Sequence, residues 1–366
     1  MKKIITIIIA TLLLLTTLGG CSCNNAVALT FTNAFYGEGT ITDDNISSSF
    51  SERLEYDVNY INDKKNYPAL VRDSAVDKVL TIDQNTYTDG KYTTDLSVKP
   101  YPNDYPESAV AKKLNTDENG VPYKVFCLTT RFEIKVKYNL KNDDNVYTDY
   151  IDTEVYFCLS ENSYAPIYAK TSSEETRLTI TDNGASIMRT RSTTETVYQI
   201  SKYKIKTVIT EATGAAEEKV IYSKTKTHSN VAKTAVDNTQ LFFVLRNKST
   251  KKESASSIPV VSPAYGAKKD LSISHKSNSQ ITVNIDYNGT VVNEKIPVRN
   301  LTFSLSSTNT SGKAQHLTYQ TGVSENNGIN RNTALLVEYV EPLIAYGSMN
   351  SLGALKFTLA KVTQTY

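Results

Sequence analysis

The segment from Lys124 to Leu159 constrains the fold more than any other, because it has the pattern of one long antiparallel β-hairpin. If the turn is centred on Asn142-Asp143, apolar side chains share one face and polar side chains the other, as a half-buried antiparallel pair requires. In that register the residue numbers of each facing pair sum to 285. The predicted pairs on the apolar face are Leu128–Phe157, Thr130–Val155, Phe132–Thr153, Ile134–Ile151 and Tyr138–Tyr147, and those on the polar face include Arg131–Glu154 and the like-charged Glu133–Asp152.

The same register predicts a disulfide bond. It places Cys127 opposite Cys158 at a position where two facing cysteines are close enough to bridge. Such a bond suits the oxidising environment outside the cytoplasm. The chain has four cysteines. Of the other two, Cys21 has a separate role, described next, and Cys23 is interpreted as a bystander beside it.

The first twenty-one residues have the build of an export signal. Lys2 and Lys3 precede an apolar run that begins at Ile4 and is too short for a membrane-spanning helix. The run ends in Leu18-Gly19-Gly20-Cys21. Here the chain resembles bacterial lipoproteins, whose lipobox has two small residues before an invariant cysteine. The resemblance implies lipidation of the Cys21 thiol, cleavage after Gly20, and a protein anchored to a membrane on its extracytoplasmic side.

Composition favours strands and argues against one class of partner. The chain has 40 basic and 38 acidic residues, so without Lys2 and Lys3 the two totals are equal (40 − 2 = 38). A neutral chain lacks the positive charge that nucleic-acid binding needs, and nucleic acid is therefore not expected as a partner. The 24 tyrosines and many threonines favour strand over helix.

Local patterns divide the chain into a signal peptide (1–20), a lipidated tether (21–50) and an antiparallel β body (51–366). Arg53 to Ile61 alternates as a strand, and two more hairpins are predicted around Asp89-Gly90 and Asn288-Gly289. In the last of these, Ile281 is expected to face Ile296, and Ile285 to face Val292. The Lys/Ser-rich loop 247–262 is the candidate sub-boundary within the body.

A single convincing helix is predicted over Val231–Arg246. Long hairpins with such a helix resemble, in architecture, the half-barrels of periplasmic lipoprotein carriers and lipid-binding lipoproteins. The predicted fold class is therefore mainly β, with long antiparallel hairpins forming a curved sheet or half-barrel and one or two short helices. The resemblance implies a concave apolar face that either holds a lipid or other apolar ligand or forms a dry core. The residues expected there are Leu128, Phe132, Ile134, Ile151, Val155 and Phe157.

The sequence shows no catalytic or cofactor motif. His228, His275 and His316 have no partners at metal or triad spacing, and no nucleophile elbow, zinc-protease helix or phosphate-binding glycine loop occurs. No catalytic residue, metal site or cofactor is therefore predicted. The predicted function is a non-enzymatic binding or scaffolding role. The alternatives are an envelope hydrolase that acts on glycan or wall polymer through loop carboxylates, and a surface adhesin with a flat, filled core.

Overall fold

The computed structural model describes a protein made almost entirely of β-strands. It covers residues 50–61, 85–100, 124–138, 145–157, 166–181, 184–199, 202–214, 216–229, 235–240, 256–262, 267–305, 316–322, 342–348 and 354–365. The strands are β1 (Ser51–Ile61), β2 (Asn85–Pro100), β3 (Lys124–Tyr138), β4 (Val146–Phe157), β5 (Pro166–Thr181), β6 (Gly184–Gln199), β7 (Lys202–Thr213), β8 (Lys219–Ser229), β9 (Val236–Asp237), β10 (Ser256–Ser262), β11 (Ala267–Tyr287), β12 (Thr290–Leu305), β13 (His316–Gly322), β14 (Pro342–Ser348) and β15 (Ala354–Thr365).

All of these strands belong to one large, curved antiparallel sheet. Its order is β8-β7-β6-β5-β4-β3-β2-β1-β15-β14-β13-β12-β11-β10-β9, so the first strand pairs with the last and the two edges are β8 and β9. The β9 end of the sheet contacts β5, and the residues after β9 contact β4. The sheet therefore curls over its own inner face without closing, and the predicted curved antiparallel sheet is confirmed.

The β3–β4 hairpin forms, but its register differs from the predicted one by two residues. Phe126 lies opposite Phe157 and Leu128 opposite Val155, so the numbers of facing residues sum to 283. This register stacks the Phe126 and Phe157 rings with centroids 5.6 Å apart. It also replaces the like-charged Glu133–Asp152 pair, because Arg131 now lies opposite Asp152. A two-residue offset keeps every side chain on its predicted face.

The offset removes the predicted partner of Cys127. Tyr156 lies opposite Cys127, whose thiol is free and buried. Cys158 lies outside the described residues. The prediction that the two cysteines face each other is therefore wrong, and no disulfide bond is seen among the described residues. Cys127 instead belongs to a small apolar cluster on the outer face of the sheet, with Val125, Tyr156 and Ile167.

The Asp89-Gly90 dipeptide forms a β-bulge within β2, and the hairpin predicted there is wrong. Asp89 has a φ of 52°, in the left-handed region, and the pairing with β3 skips from Thr88 to Lys91. A Cβ atom at Gly90 would lie 2.3 Å from the carbonyl oxygen of Val58. Glycine therefore lets two backbones approach closely, which is a common reason for a glycine inside a strand.

The hairpin around Asn288-Gly289 is confirmed, with Ile281 opposite Ile296 and Ile285 opposite Val292. Its tip also binds the last strand. The Asn288 amide donates to the carbonyl of Val362 at 2.9 Å, and Asn288 Oδ1 accepts from the Gln364 amide at 2.8 Å. A short parallel pairing of β11 with β15 accompanies these bonds. Strands β11 to β15 thus form a locally closed ring.

The helix predicted over Val231–Arg246 is wrong in its described part. Residues 236–237 form the short strand β9, and Asn238–Gln240 form a single 3-10 turn. The Asp237 carboxylate accepts from the Thr239 amide at 2.8 Å and from the Thr239 hydroxyl at 2.7 Å. Aspartate bonded to the backbone two residues ahead offers the chain an alternative to the helix. Residues 230–234 and 241–246 lie outside the described residues.

Most of the buried apolar side chains form one cluster on the inner face of the sheet. Strands from both halves of the order contribute, including β1, β3, β10 and β15. The second half of the 247–262 segment is strand β10, whose Val260 and Val261 are fully buried in this cluster. The described residues include no helix long and apolar enough to cross a membrane.

Candidate binding surface

The six residues predicted as an apolar ligand face all lie on the inner face of β3 and β4. Ile151 is half-buried, and the other five are at most 1% exposed. The Phe132 ring packs against the Phe357 ring of β15, with centroids 6.4 Å apart. The structure therefore brings the predicted set together, within the main core.

A row of threonines continues this inner face across six strands. Each residue lies opposite the next in the ladder, and the row ends at a lysine on the edge strand. Its members are Thr94, Thr130, Thr153, Thr171, Thr194, Thr207 and Lys224. Thr94 and Thr130 are buried, the next four are half-buried and Lys224 is exposed. The inner face therefore opens to solvent towards β8.

A second row beside it adds two serines. Ile151 lies opposite Ser173, and Ser173 lies opposite Ser192, to which it is hydrogen-bonded at 2.8 Å. Together the two rows place six hydroxyl groups on β4 to β7. We call this set the hydroxyl strip: Thr153, Thr171, Ser173, Ser192, Thr194 and Thr207.

Two lysines of β8 lie at the end of the strip. Lys224 faces Thr207, and Lys226 faces Ile205 on the same side of the sheet. Both lysines are exposed, and neither forms an ion pair with a residue that the structure describes. The outer face differs, because Arg131 there binds Asp152 at 3.0 Å and Glu133 at 2.9 Å.

A buried polar group lies next to the strip, where β9 crosses the inner face. The Asp237 carboxylate accepts a hydrogen bond from the Tyr198 hydroxyl of β6, and its own amide donates to Gln240 Oε1 at 2.8 Å. Asp237 is fully buried, and this burial raises its pKa. Tyr203 lies opposite Tyr198, and its buried hydroxyl has no hydrogen-bond partner among the described residues.

A second buried carboxylate, Asp149, fixes the junction of β4 and β5. Its Oδ1 atom accepts from the Thr176 amide at 2.9 Å and from the Thr176 hydroxyl at 2.7 Å. The Tyr138 hydroxyl lies 3.0 Å from the same threonine oxygen. Burial raises the pKa of Asp149 to about 7, although both Thr176 hydrogen bonds oppose the shift. The three residues therefore form a hydrogen-bonded chain without a positive charge.

A cleft of about 260 Å³ lies between β11, β1 and β15. Its apolar lining includes Ile281, Val283, Ile285 and Leu359, and its one carboxylate is Asp57. Asp57 is ion-paired to Lys91 at 2.6 Å. Glycan hydrolysis generally needs two carboxylates that flank the substrate bond. The lining of this cleft thus does not supply the pair that a hydrolase of this type requires.

Sequence reasoning missed the hydroxyl strip and its lysines. The signal was the threonine-rich run Ser186–Glu211 together with the alternating lysines of β8, but their alignment depends on four successive strand registers. The predicted lipidation site, Cys21, lies outside the described residues. Of the three histidines, His228 stacks on Tyr203 with ring centroids 4.8 Å apart. No cluster of potential metal ligands occurs among the described residues.

Among known proteins, only solved structures show a similarity to this chain, and it is weak. No protein-family model and no curated protein sequence matches the chain. Among solved structures, the chain is similar to the crystal structure of a β-barrel-like protein of Domain of Unknown Function DUF1849 from Brucella abortus. The two share 9% sequence identity with a TM-score of 0.39, over 87% of this chain and 98% of the other. At this level of similarity the comparison assigns the chain to no family.

Proposed function

We propose that the protein is an anchored extracytoplasmic lipoprotein with a non-enzymatic binding role, and that its ligand lies against the inner face of the sheet. The observation that carries the binding role is the gradient across that face. Buried apolar side chains on β3 and β4 give way to half-buried hydroxyls on β5 to β7 and then to exposed lysines on β8. A sheet face that serves only as core is apolar along its whole width.

The sequence Leu18-Gly19-Gly20-Cys21 supports the anchoring. Each buried methylene group of an acyl chain contributes about 0.8 kcal/mol, and one chain alone holds a protein only marginally. Two or three chains on one cysteine, at roughly fifteen methylenes each, contribute tens of kcal/mol by the same arithmetic. The anchor would therefore be permanent and would hold the sheet close to the membrane surface.

An apolar small molecule is the second candidate ligand, and the cleft beside β11 favours it. Its lining side chains Val283, Ile285 and Leu359 are buried and apolar. Its volume of about 260 Å³ is close to the lower limit of small-molecule sites, roughly 300 Å³. The predicted apolar face around Phe132 and Val155 would need its packed side chains to separate before it could hold such a molecule.

Native mass spectrometry of the full-length protein, purified from its own membrane in detergent, tests the binding role. We expect a bound mass, beyond that of the acyl chains on Cys21, that is lost on denaturation. Fragmentation of the released ligand separates a polar molecule from an apolar one. A protein that carries no ligand, and that takes up none from an extract of its own envelope, would contradict the binding role.

A further inference from the structure

We propose that the hydroxyl strip and the two lysines at its end bind an anionic, hydroxyl-rich chain, namely an oligosaccharide or polyol chain that bears phosphate or carboxylate groups. This inference rests on the proposed binding function and names the class of ligand. Its basis is one band of the inner face that carries six hydroxyl groups and ends at two exposed lysines. Five of the hydroxyl-bearing residues are half-buried and Ser173 is buried, and neither lysine forms an ion pair with a described residue.

The geometry of the strip suits an extended polymer that crosses the strands. Neighbouring strands lie about 4.8 Å apart, so the band from β4 to β8 is about 19 Å wide. A chain in this direction meets at least one hydroxyl on each of β4, β5, β6 and β7. A single small molecule would cover only part of the band.

The chemistry of the strip suits a polar ligand. Every serine or threonine hydroxyl has one proton to donate and two lone pairs that accept. The strip hydroxyls use part of this capacity within the sheet. Thr153 is hydrogen-bonded to Thr130 at 2.6 Å and Ser173 to Ser192 at 2.8 Å, whereas the Thr194 and Thr207 oxygens are 3.4 Å apart, a long contact. Ligand hydroxyls can use the remaining donors and acceptors, whereas an acyl chain would leave them unsatisfied.

The charge at the end of the strip selects an anion. Lys224 lies opposite the strip residue Thr207, and Lys226 lies opposite Ile205 on the same side of the sheet. The acidic Glu211 on the neighbouring strand is already bound to Arg177, at 3.3 Å. Charge-assisted hydrogen bonds from lysine to phosphate or carboxylate are roughly twice as strong as neutral ones. Neither lysine forms an ion pair with a residue of the described strands, so both can bind an external anion.

The edge position of β8 gives the ligand access. Almost all of its residues are exposed, and the apolar Val220, Ile221 and Tyr222 are 64%, 52% and 38% exposed. No described strand pairs with its free edge. A long chain can therefore enter from this side and extend towards β4 without displacing the core.

Calorimetric titration of the full-length protein in detergent with three probes of matched length tests the ligand class. The probes are hexagalacturonate, a six-unit poly(glycerol phosphate), and neutral chitohexaose. We expect at least one anionic probe to bind, and chitohexaose to bind about tenfold more weakly or not at all, since one charge-assisted bond is worth about that factor. Preference for one anionic probe identifies the charged group. Equal binding of chitohexaose would overturn the proposal.

Two pairs of substitutions locate the site. Lys224→Gln with Lys226→Gln should raise the Kd of the anionic probe about tenfold and flatten its salt dependence. The matched control, Lys204→Gln with Lys206→Gln, removes two exposed lysines from the outer face of the neighbouring strand and should leave the Kd unchanged. An equal effect of both pairs would show non-specific attraction and overturn the site.

The hydroxyls are tested by Thr171→Val and Thr194→Val, which keep the side-chain shape and remove the oxygen. Each should weaken the binding of the anionic probe by about threefold to tenfold, the value of one hydrogen bond. Far-UV circular dichroism confirms that the variants fold.

If native mass spectrometry finds a bound ligand but no anionic probe binds, the ligand class is wrong while the proposed function stands. If neither experiment finds binding, both are wrong.

Discussion

At the scale of single residues, two buried carboxylates are held by uncharged partners. Asp149 is bonded to Thr176, and Asp237 is bonded to Tyr198 and Thr239. Hydroxyl and amide donors recover only part of the solvation that a carboxylate loses when it is buried, so the pKa values of both groups are raised. These carboxylates make stability depend on pH in a direction opposite to that of salt-bridged aspartates.

Asp149 should make the protein less stable as the pH rises through the range from about 4 to 7. The native state keeps the proton up to a pKa of about 7, whereas the unfolded chain loses it near 3.8. The native state thus binds more protons between these values, and the free energy of unfolding falls as pH increases. The full effect is on the order of 4 kcal/mol, at about 1.4 kcal/mol for each of about three pKa units.

The variant Asp149→Asn isolates this contribution. Its amide oxygen can still accept both bonds from Thr176, and it has no charge to bury. Urea denaturation at several pH values from 4 to 8 should show a flatter decline for the variant than for the wild type. Parallel curves for the two proteins would show that Asp149 titrates normally in the folded state.

Tyr198 and Tyr203 provide a matched pair for the second carboxylate. They face each other across β6 and β7, but only the Tyr198 hydroxyl donates to Asp237. Tyr198→Phe leaves a fully buried carboxylate oxygen without this donor and should cost about 1–3 kcal/mol of unfolding free energy. Tyr203→Phe removes a buried hydroxyl that has no described partner and should be neutral or slightly stabilising. Chemical denaturation of both variants at neutral pH measures the difference, and equal losses would contradict this assignment.

At the scale of strands, alternation predicted which face each residue occupies better than it predicted register. Leu128, Phe132, Val155 and Phe157 are buried together as expected, yet the β3–β4 pairing is offset by two residues. The sheet face that a side chain occupies depends on the two-residue period of its own strand. The register of two strands depends instead on the contacts between particular facing residues. Here the decisive pairs are Arg131 with Asp152 and Phe126 with Phe157.

Turn-forming dipeptides likewise did not determine the local structure on their own. Asn288-Gly289 forms the expected two-residue turn, while Asp89-Gly90, with a similar signal, forms a bulge inside β2. Both dipeptides place a non-glycine residue at positive φ, at 48° and 52°. The difference arises from strand pairing, because Gly90 lies within the sheet, directly opposite Val58 of β1. The hydroxyl strip and its lysines required four registers at once, and no short-range pattern supplies them.

The close approach of Gly90, in the bulge of β2, to the Val58 carbonyl of β1 can be tested by substitution. Gly90→Ala would place a methyl group 2.3 Å from the Val58 carbonyl oxygen, so one strand must shift. We expect a loss of about 1–3 kcal/mol in unfolding free energy, as for other overpacked sites. Asp89→Gly is the control, since glycine accepts positive φ readily and the lost ion pair with Lys135 is exposed. Similar thermal unfolding of both variants would exclude the steric explanation.

At the scale of the whole molecule, the chain order places the first and last strands together in the middle of the sheet. β1 pairs with β15 along its whole length, from Ser51 with Thr365 to Ile61 with Ala354. The free edges are instead β8 and β9, which adjoin in sequence. In the order of the sheet, β1 therefore lies seven strands away from the open edge β8. On the proposal that Cys21 is the anchor, the anchored segment leads into β1 and not into β8, the strand that carries the two lysines.

The proposed anchor predicts a specific processing defect. Cys21→Ser removes the thiol that would accept the diacylglyceryl group, so the variant should lose incorporation of labelled palmitate and accumulate as the uncleaved precursor. Cys23→Ser is the matched control, two residues away, and should be lipidated and cleaved normally. Gel mobility and label incorporation in membrane fractions measure both steps.

Normal cleavage of Cys21→Ser would instead indicate an ordinary signal peptide with an incidental cysteine. The protein would then be free of the membrane, because a mature chain without acyl groups lacks the tens of kcal/mol that roughly thirty buried methylenes supply.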